Sequence, residues 1–333
     1  FNEEEALPEE VIEAVNAQSG ITEGGAVYGN TSNTLEAITE DWYRQGRSYY
    51  LSKEEMDNNL KFEARTSEGL IYDRAQLYGM EDFPLSQLTV YEGDIDSLRE
   101  PGRKNIAAVY SEDDYGALIP DSHWAKLGDQ VTIYYVDNFE YVDPVTGEVY
   151  ASLEEVSENK RNNMIHKPMS YRTITYTVTA VVAVPSSLSY RYYGSDEFIL
   201  NADTFKQDTG TDCIMYYAFN TDDGDTAAME DFLADYTSNV NPTCDYESKS
   251  TYIEQFKGMR NMFVMTGGAL SLIVALVGVL NFFNAILTGI TTRRREFAML
   301  QSIGMTTKQL RRMLMIEGLL YTMGALLLAL VLT

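Results

Sequence analysis

Residues 262–290 run for 29 positions without a charged side chain. At about 1.5 Å per residue such a helix spans some 43 Å, more than the roughly 30 Å of bilayer hydrocarbon requires. A soluble core seldom holds a helix of that length, so the run predicts a transmembrane helix. A second apolar run opens at Leu314 and continues to the end of the chain, interrupted by Glu317. Between the runs lie Arg293, Arg294, Arg295, Lys308, Arg311 and Arg312. A short loop this rich in Lys and Arg belongs in the cytoplasm. Residues 1–256 are therefore expected outside it, extracellular or periplasmic, on a multi-pass protein of the cell membrane. Phe1 opens a charged stretch and Thr333 falls within an apolar run, so both ends are expected to be cuts through a longer protein.

Charge divides the chain in the same place. Residues 257–333 hold eight basic and two acidic residues, a net +6, whereas 1–256 hold 17 basic and 48 acidic, a net −31. An acidic block of that size repels nucleic acid and anionic headgroups. Its ordinary use is to keep an exposed domain soluble; its more specific use is to attract cationic peptides. Cys213 and Cys244 both lie in this part. Outside the cytoplasm they form a candidate disulfide, subject to a Cα separation that spacing does not reveal.

The first membrane helix is expected to begin before the membrane. Thr251 followed by Glu254 fits a capping box, and no proline follows Pro242. A helix over 252–290 would run roughly 58 Å, with a couple of turns standing outside the bilayer as a stalk. Within it Gly267, Ser271, Ala275 and Gly278 form a small-residue stripe, and Asn281, Asn284 and Thr288 add polar groups. Both suit close helix packing, either inside one bundle or at a dimer seam. Phe297, Leu300 and Ile303 then recur every three residues among Arg293, Arg294, Glu296 and Gln301, an amphipathic pattern that could lie on lipid or meet a partner. Gly304 suits a left-handed cap, and Thr306 with Gln309 a second capping box.

The stretch 284–306, Asn-Ala-Ile-Leu-Thr-Gly-Ile-Thr-Thr-Arg-Arg-Arg-Glu-Phe-Ala-Met-Leu-Gln-Ser-Ile-Gly-Met-Thr, resembles the second transmembrane helix and cytoplasmic turn of MacB/FtsX-type ABC permeases. Asn284, Arg295, Glu296, Gly304 and Glu317 match that pattern in order and spacing. Ala298 stands where many members carry glycine. Lys126-Leu-Gly-Asp-Gln-Val-Thr-Ile and 176–184 resemble strand elements of the family's outer domain, and 70–93 shares its flavour.

The resemblance implies a permease that pairs with a second copy or a homologous half. It also implies a cytoplasmic ABC ATPase as partner, which would bind the ATP, so the chain itself needs no cofactor. The residues it assigns to ATPase coupling are Arg295, Glu296, Phe297, Leu300, Ile303, Gly304 and Glu317. Gly267, Ser271, Ala275 and Gly278, by their spacing, and Asn284, which the family pattern also contains, are expected to serve helix packing. The expected cargo is a peptide, lipoprotein or antibiotic. The alternative is a regulatory module that controls a cell-wall hydrolase or a sensor kinase without transport.

The expected fold class is an α+β outer domain on a long stalk and transmembrane helix. Residues 8–17 and 225–236 read as helices, the second with Met229, Phe232 and Leu233 inward. Runs at 107–110, 131–136, 174–184 and 214–219 read as strands. The strand 214–219, the helix after it and a strand at 243–246 are expected to form a βαβ unit. The expected domains are a membrane-proximal α+β subdomain (1–87 with 201–250), a β-rich insertion (88–200), stalk and membrane helix (251–290), coupling helix and turn (291–313) and the next membrane helix (314–333). Residues 137–169 read as a long polar, mobile excursion.

No sequence motif for catalysis appears. His123 and His166 lack metal-ligand spacing, and no P-loop, Gly-x-Ser-x-Gly or Cys-x-x-Cys occurs. Asn220, Asp222 and Asp225 read as helix capping in preference to a calcium loop. The chain is not expected to be an enzyme, and any ATPase activity belongs to a separate subunit or domain.

Overall fold

A computed structural model describes residues 5–29, 33–100, 102–189 and 197–332. It divides into two compact units, Phe1–Asp245 and Tyr246–Thr333. Among the described residues the first holds eleven strands: β1 (Ile21–Gly29), β2 (Thr34–Ile38), β3 (Ile71–Arg74), β4 (Gln76–Met80), β5 (Thr89–Gly93), β6 (Asn105–Val109), β7 (Gln130–Val142), β8 (Val149–Tyr150), β9 (Ile165–Ala183), β10 (Glu197–Asn201) and β11 (Ile214–Thr221). Its helices are α1 (Glu9–Asn16), α2 (Glu40–Arg47), α3 (Lys53–Asn59), α4 (Asp82–Ser86), α5 (Ser186–Ser189), α6 (Ala202–Thr209) and α7 (Thr226–Asp235).

One mixed sheet runs in the order β11-β1-β4-β10-β6-β9-β7-β2-β3, with β5 on β9 and β8 on β7. The pairs β10–β4 and β6–β9 are parallel and the others antiparallel. The central strands are apolar at consecutive positions, as strands covered on both faces must be. Phe198, Ile199 and Leu200 of β10 and Ile106, Ala107 and Ala108 of β6 have no exposed surface. Their side chains alternate between two cores. Leu77, Ile106, Phe198 and Phe205 belong to one; Tyr78, Ala107, Ile199 and Leu85 of α4 belong to the other.

Phe205 of α6 lies directly over Gly79, where a Cβ would fall 2.6 Å from its side chain. A buried network fastens the end of the same helix. The Asp208 carboxylate accepts from Lys104 Nζ at 2.6 Å and from the Tyr176 hydroxyl at 2.7 Å, with the Tyr135 hydroxyl 2.6 Å from Tyr176. Burial holds both phenols above their ordinary range.

Several sequence expectations change. The sheet passes without a break through the segments assigned to separate subdomains. β4 lies between β1 and β10, while β2 pairs with β7 through Leu35 and Tyr134. The α+β class stands, but 243–246 forms no strand. Pro242 lacks an amide, and the Asn241 side chain accepts from the Thr243 amide at 3.3 Å, closing a turn there. Of the three residues expected inward on α7, Met229 is buried and Phe232 and Leu233 are half-buried.

The base of the excursion 137–169 is a β-hairpin arm, because β7 and β9 stay paired as far as Val142 and Ile165. Asp143 closes its tip, accepting from the Val145 amide, the Thr146 amide and Lys160 Nζ. Those donors, Lys160 first, lower its pKa from 3.8 to about 2. Val156 and Met164 of the same excursion are buried.

Candidate functional site

The second unit consists of α8 (Lys249–Thr292), α9 (Arg294–Ser302) and α10 (Thr307–Leu332). α8 begins three residues before the expected capping box. Its N-cap is Ser248, whose hydroxyl accepts from the Thr251 amide at 3.1 Å. With 44 residues it extends about 66 Å. α8 and α10 both contain stretches long and apolar enough to cross a membrane.

The corner between these helices is built locally. Arg293 leaves helical geometry at φ −94°, ψ 14°, ending α8 and opening α9. α9 stops at Gly304, whose φ of +108° strains any residue with a Cβ. There the Met305 amide donates to Leu300 O at 3.1 Å. Thr306 and Gln309 then form the expected capping box. The Thr306 amide donates to Gln309 Oε1 at 2.9 Å, and the Gln309 amide to Thr306 Oγ1 at 3.4 Å.

Arg293 joins all three helices. Its Nε donates to Glu296 at 3.2 Å and its Nη1 to Glu317 at 2.8 Å, and its guanidinium lies 5.6 Å from the Phe297 ring centroid. The resemblance singled out Arg295 beside Glu296, but the structure gives Glu296 to Arg293. Among the described residues Arg294 and Arg295 form no ion pair; both line a shallow groove with Thr291, Thr292 and Ala298. Sequence reasoning missed Arg293 because three consecutive arginines look alike. The usable signal was the i, i+3 spacing to Glu296.

The expected stripe on α9 splits. Phe297 is buried, Leu300 is half-buried, and Ile303 is 83% exposed beside exposed Met299. Asn284 is exposed on α8, and its carbonyl accepts from Thr288 Oγ1 at 2.8 Å. Gly318 of α10 approaches Phe282 and Ile286. Those residues continue, at spacings of four, the line through Gly278. Gly267, Ser271, Ala275 and Gly278 are exposed farther along it, and among the described residues nothing beyond the neighbouring turns of α8 lies within 4 Å of a Cβ built at Gly267 or Gly278.

The remaining candidates lie in the first unit. Cys213 and Cys244 are free, half-buried thiols in this structure. His123 is buried, accepts the Ala125 amide at Nδ1 and stacks on Tyr110; burial drives its pKa down to about 3, keeping it neutral. His166 packs against the edge of Tyr141. Asp225 precedes α7 without capping it through its side chain, and instead accepts from Ser19 Oγ at 3.4 Å.

Residues 268–333 match the FtsX-like permease C-terminal family, a segment that contains the 284–306 stretch. No curated protein matches the chain. Among solved structures, the chain is similar to the extracellular domain of the noncanonic ABC-type transporter YknZ from Gram-positive bacteria. The identity is 11% over 68% of this chain and 79% of that one, with a TM-score of 0.30. It is also similar to the periplasmic region of MacB from Actinobacillus actinomycetemcomitans, at 14% identity over 74% and 82% of the two chains and a TM-score of 0.34.

Proposed function

We propose that this chain, whose residues 268–333 match the FtsX-like permease C-terminal family, is a MacB/FtsX-type permease that couples ATP hydrolysis on a cytoplasmic partner to conformational change in its outer domain. The domain Phe1–Asp245 faces away from the cytoplasm in this reading, which the basic corner between two apolar helices supports. ATP binds on the partner, and the cargo is a peptide, lipoprotein or antibiotic. The uncovered Gly267–Gly278 line on α8 receives a further helix, from the same bundle or a second permease copy.

The observation that carries this reading is the Arg293 bridge. It ties α9 to α10 at the end of α8, so force on α9 reaches both long helices. Met299 and Ile303, exposed on α9, are the surface offered to the ATPase. Because Ile303 packs on little within the chain, Ile303→Asp removes apolar contact without disturbing the corner. Gly304→Val acts differently, opposing the left-handed turn. Co-purification of the partner ATPase and its stimulated turnover are the measurements. Ile303→Asp is expected to reduce association about tenfold or more, and Gly304→Val to lower stimulated turnover with the chain still inserted. Wild-type association and turnover in both variants would leave α9 a membrane-surface helix and end the coupling role. Intact ATPase coupling without cargo movement would favour the regulatory alternative.

A further inference from the structure

β11 stands at one end of the sheet, and its eight residues include neither a charged side chain nor a proline. Sheets usually blunt such an edge with charge, proline or brevity. The opposite terminal strand, β3, does so: it has four residues, two of them Asp73 and Arg74. The outward side of β11 can be read from its ladder. The Asp222 amide donates to Gly20 O at 2.8 Å, so the even-numbered residues leading up to it face β1. Tyr217, Phe219 and Thr221 therefore turn their N–H and C=O groups away from the sheet. At the start of the strand, before the register shift opposite Val27 and Tyr28, the Leu7 amide occupies Ile214 O at 2.7 Å. Beyond that point, among the described residues, no strand pairs with the outer edge.

The charges at the two ends select the occupant. Asp212 precedes β11, and Asp222, Asp223 and Asp225 follow it. A second copy pairing antiparallel across a two-fold axis would bring Asp212 of each chain beside Asp222 and Asp223 of the other. Like charges would then oppose each other at both ends of the new ladder. A strand flanked by lysine or arginine turns both contacts into attractions. Tyr217 and Phe219 stack at 5.7 Å and 27° over Gly24, where a Cβ would meet the Tyr217 hydroxyl at 2.2 Å. That rigid aromatic pair gives the incoming strand cross-strand neighbours.

We propose that the outer edge of β11 binds an extended segment of another polypeptide, uncharged at its centre and basic at both ends, by strand addition. Main-chain hydrogen bonds to Tyr217, Phe219 and Thr221 supply the ladder, and the terminal aspartates supply the selectivity. The site does not depend on ATP coupling: it would exist in a transporter or in a regulator.

The test uses the full chain in nanodiscs of neutral phosphatidylcholine, which do not themselves collect cationic peptides. The probe is a short synthetic peptide with a Thr-Val repeat at its centre and two lysines at each end. One control carries glutamates at the ends; a second keeps the lysines but is N-methylated at alternate central residues. The lysine probe is expected to bind, and each control to bind about tenfold or more weakly. On binding, amide exchange should slow at Tyr217, Phe219 and Thr221. Phe219→Pro removes an outward amide and should lose the probe, while Phe219→Ala, which keeps that amide, should retain it. Equal binding of the N-methylated peptide would overturn the proposal in favour of plain charge attraction. Protection elsewhere would overturn the site. A dimer of the chain that disappears in Phe219→Pro would assign the edge to a second copy instead. The exchange measurement on the unmodified chain decides the matter even if Phe219→Pro fails to fold.

Discussion

The sheet unit draws its core from residues far apart in sequence: β1 pairs with β11, β4 with β10, and β2 with β7. Among the described residues of the helical unit, only Phe297 and Gly318 are buried. Its helices meet through a charged corner and one close approach, leaving long apolar faces uncovered. A soluble domain must satisfy its apolar side chains internally, whereas membrane helices can leave theirs to lipid and to other helices. The contrast explains why the sheet unit closes its own core while the helical unit leaves apolar faces for lipid and other helices to cover.

The contrast can be broken most completely by topology. With Cys213 and Cys244 replaced by serine, a single cysteine at Ser157 should react with an impermeant maleimide on intact cells, and one at Thr306 should not. The reverse pattern would invert the assignment of both units. Next in size is packing. Phe205→Ala should destabilise the sheet unit by about 3–5 kcal/mol, because α6 loses the ring that covers Gly79. Denaturation followed by tryptophan fluorescence reports this unit alone, since Trp42 and Trp124 both lie in it. An unchanged midpoint would show that the Phe205 ring is not what holds α6 to the sheet.

Smaller effects sharpen the comparison. Arg293→Gln should leave the fold of both units intact, because its partners are partly exposed. Amide exchange across 297–305 should nevertheless speed up severalfold as α9 loosens from α10. Unchanged exchange would leave the bridge without mechanical weight. At the arm tip, Asp143 has a folded pKa of about 2 against an ordinary 3.8. The lowered value means that its contribution is complete above the ordinary value and is lost as pH falls through the folded one. Exchange protection at Val145 and Thr146, corrected for intrinsic rates, should drop between those two pH values, and Asp143→Asn should show the loose tip at neutral pH. Protection that persists through the acid range would place the tip's stability elsewhere.

Local signals were legible and remote ones were not. The apolar run of α8, the Gly304 turn and the Thr306–Gln309 box follow from charge, hydropathy and local punctuation. The arm was missed because its strands lack a clean alternation: 139–142 are all half-buried, and 165–171 are exposed apart from half-buried Ile165 and buried Pro168. Their pairing is a backbone ladder that leaves little hydrophobic alternation to read. The supposed strand at 243–246 was read from a brief run with no partner strand to hold it. Thr251 with Glu254 looked as good a cap as Ser248, since several hydroxyls cluster there and side-chain geometry separates them. The division at residue 88 failed to anticipate β2 and β3 beside β7, a register that no local pattern encodes.

The pairing of β1 with β11 also sets a schedule for biogenesis. A chain made from its amino terminus delivers Ile21–Gly29 early and Ile214–Thr221 last among the strands. Until β11 emerges, β1 exposes a flank rich in backbone donors and acceptors, and the sheet remains open at that end. Lys249 begins α8, the first long apolar helix among the described residues, shortly afterwards. Completion of the sheet and arrival of the membrane helix thus fall close together in synthesis. Any delay between them leaves an unfinished edge available to the wrong strand.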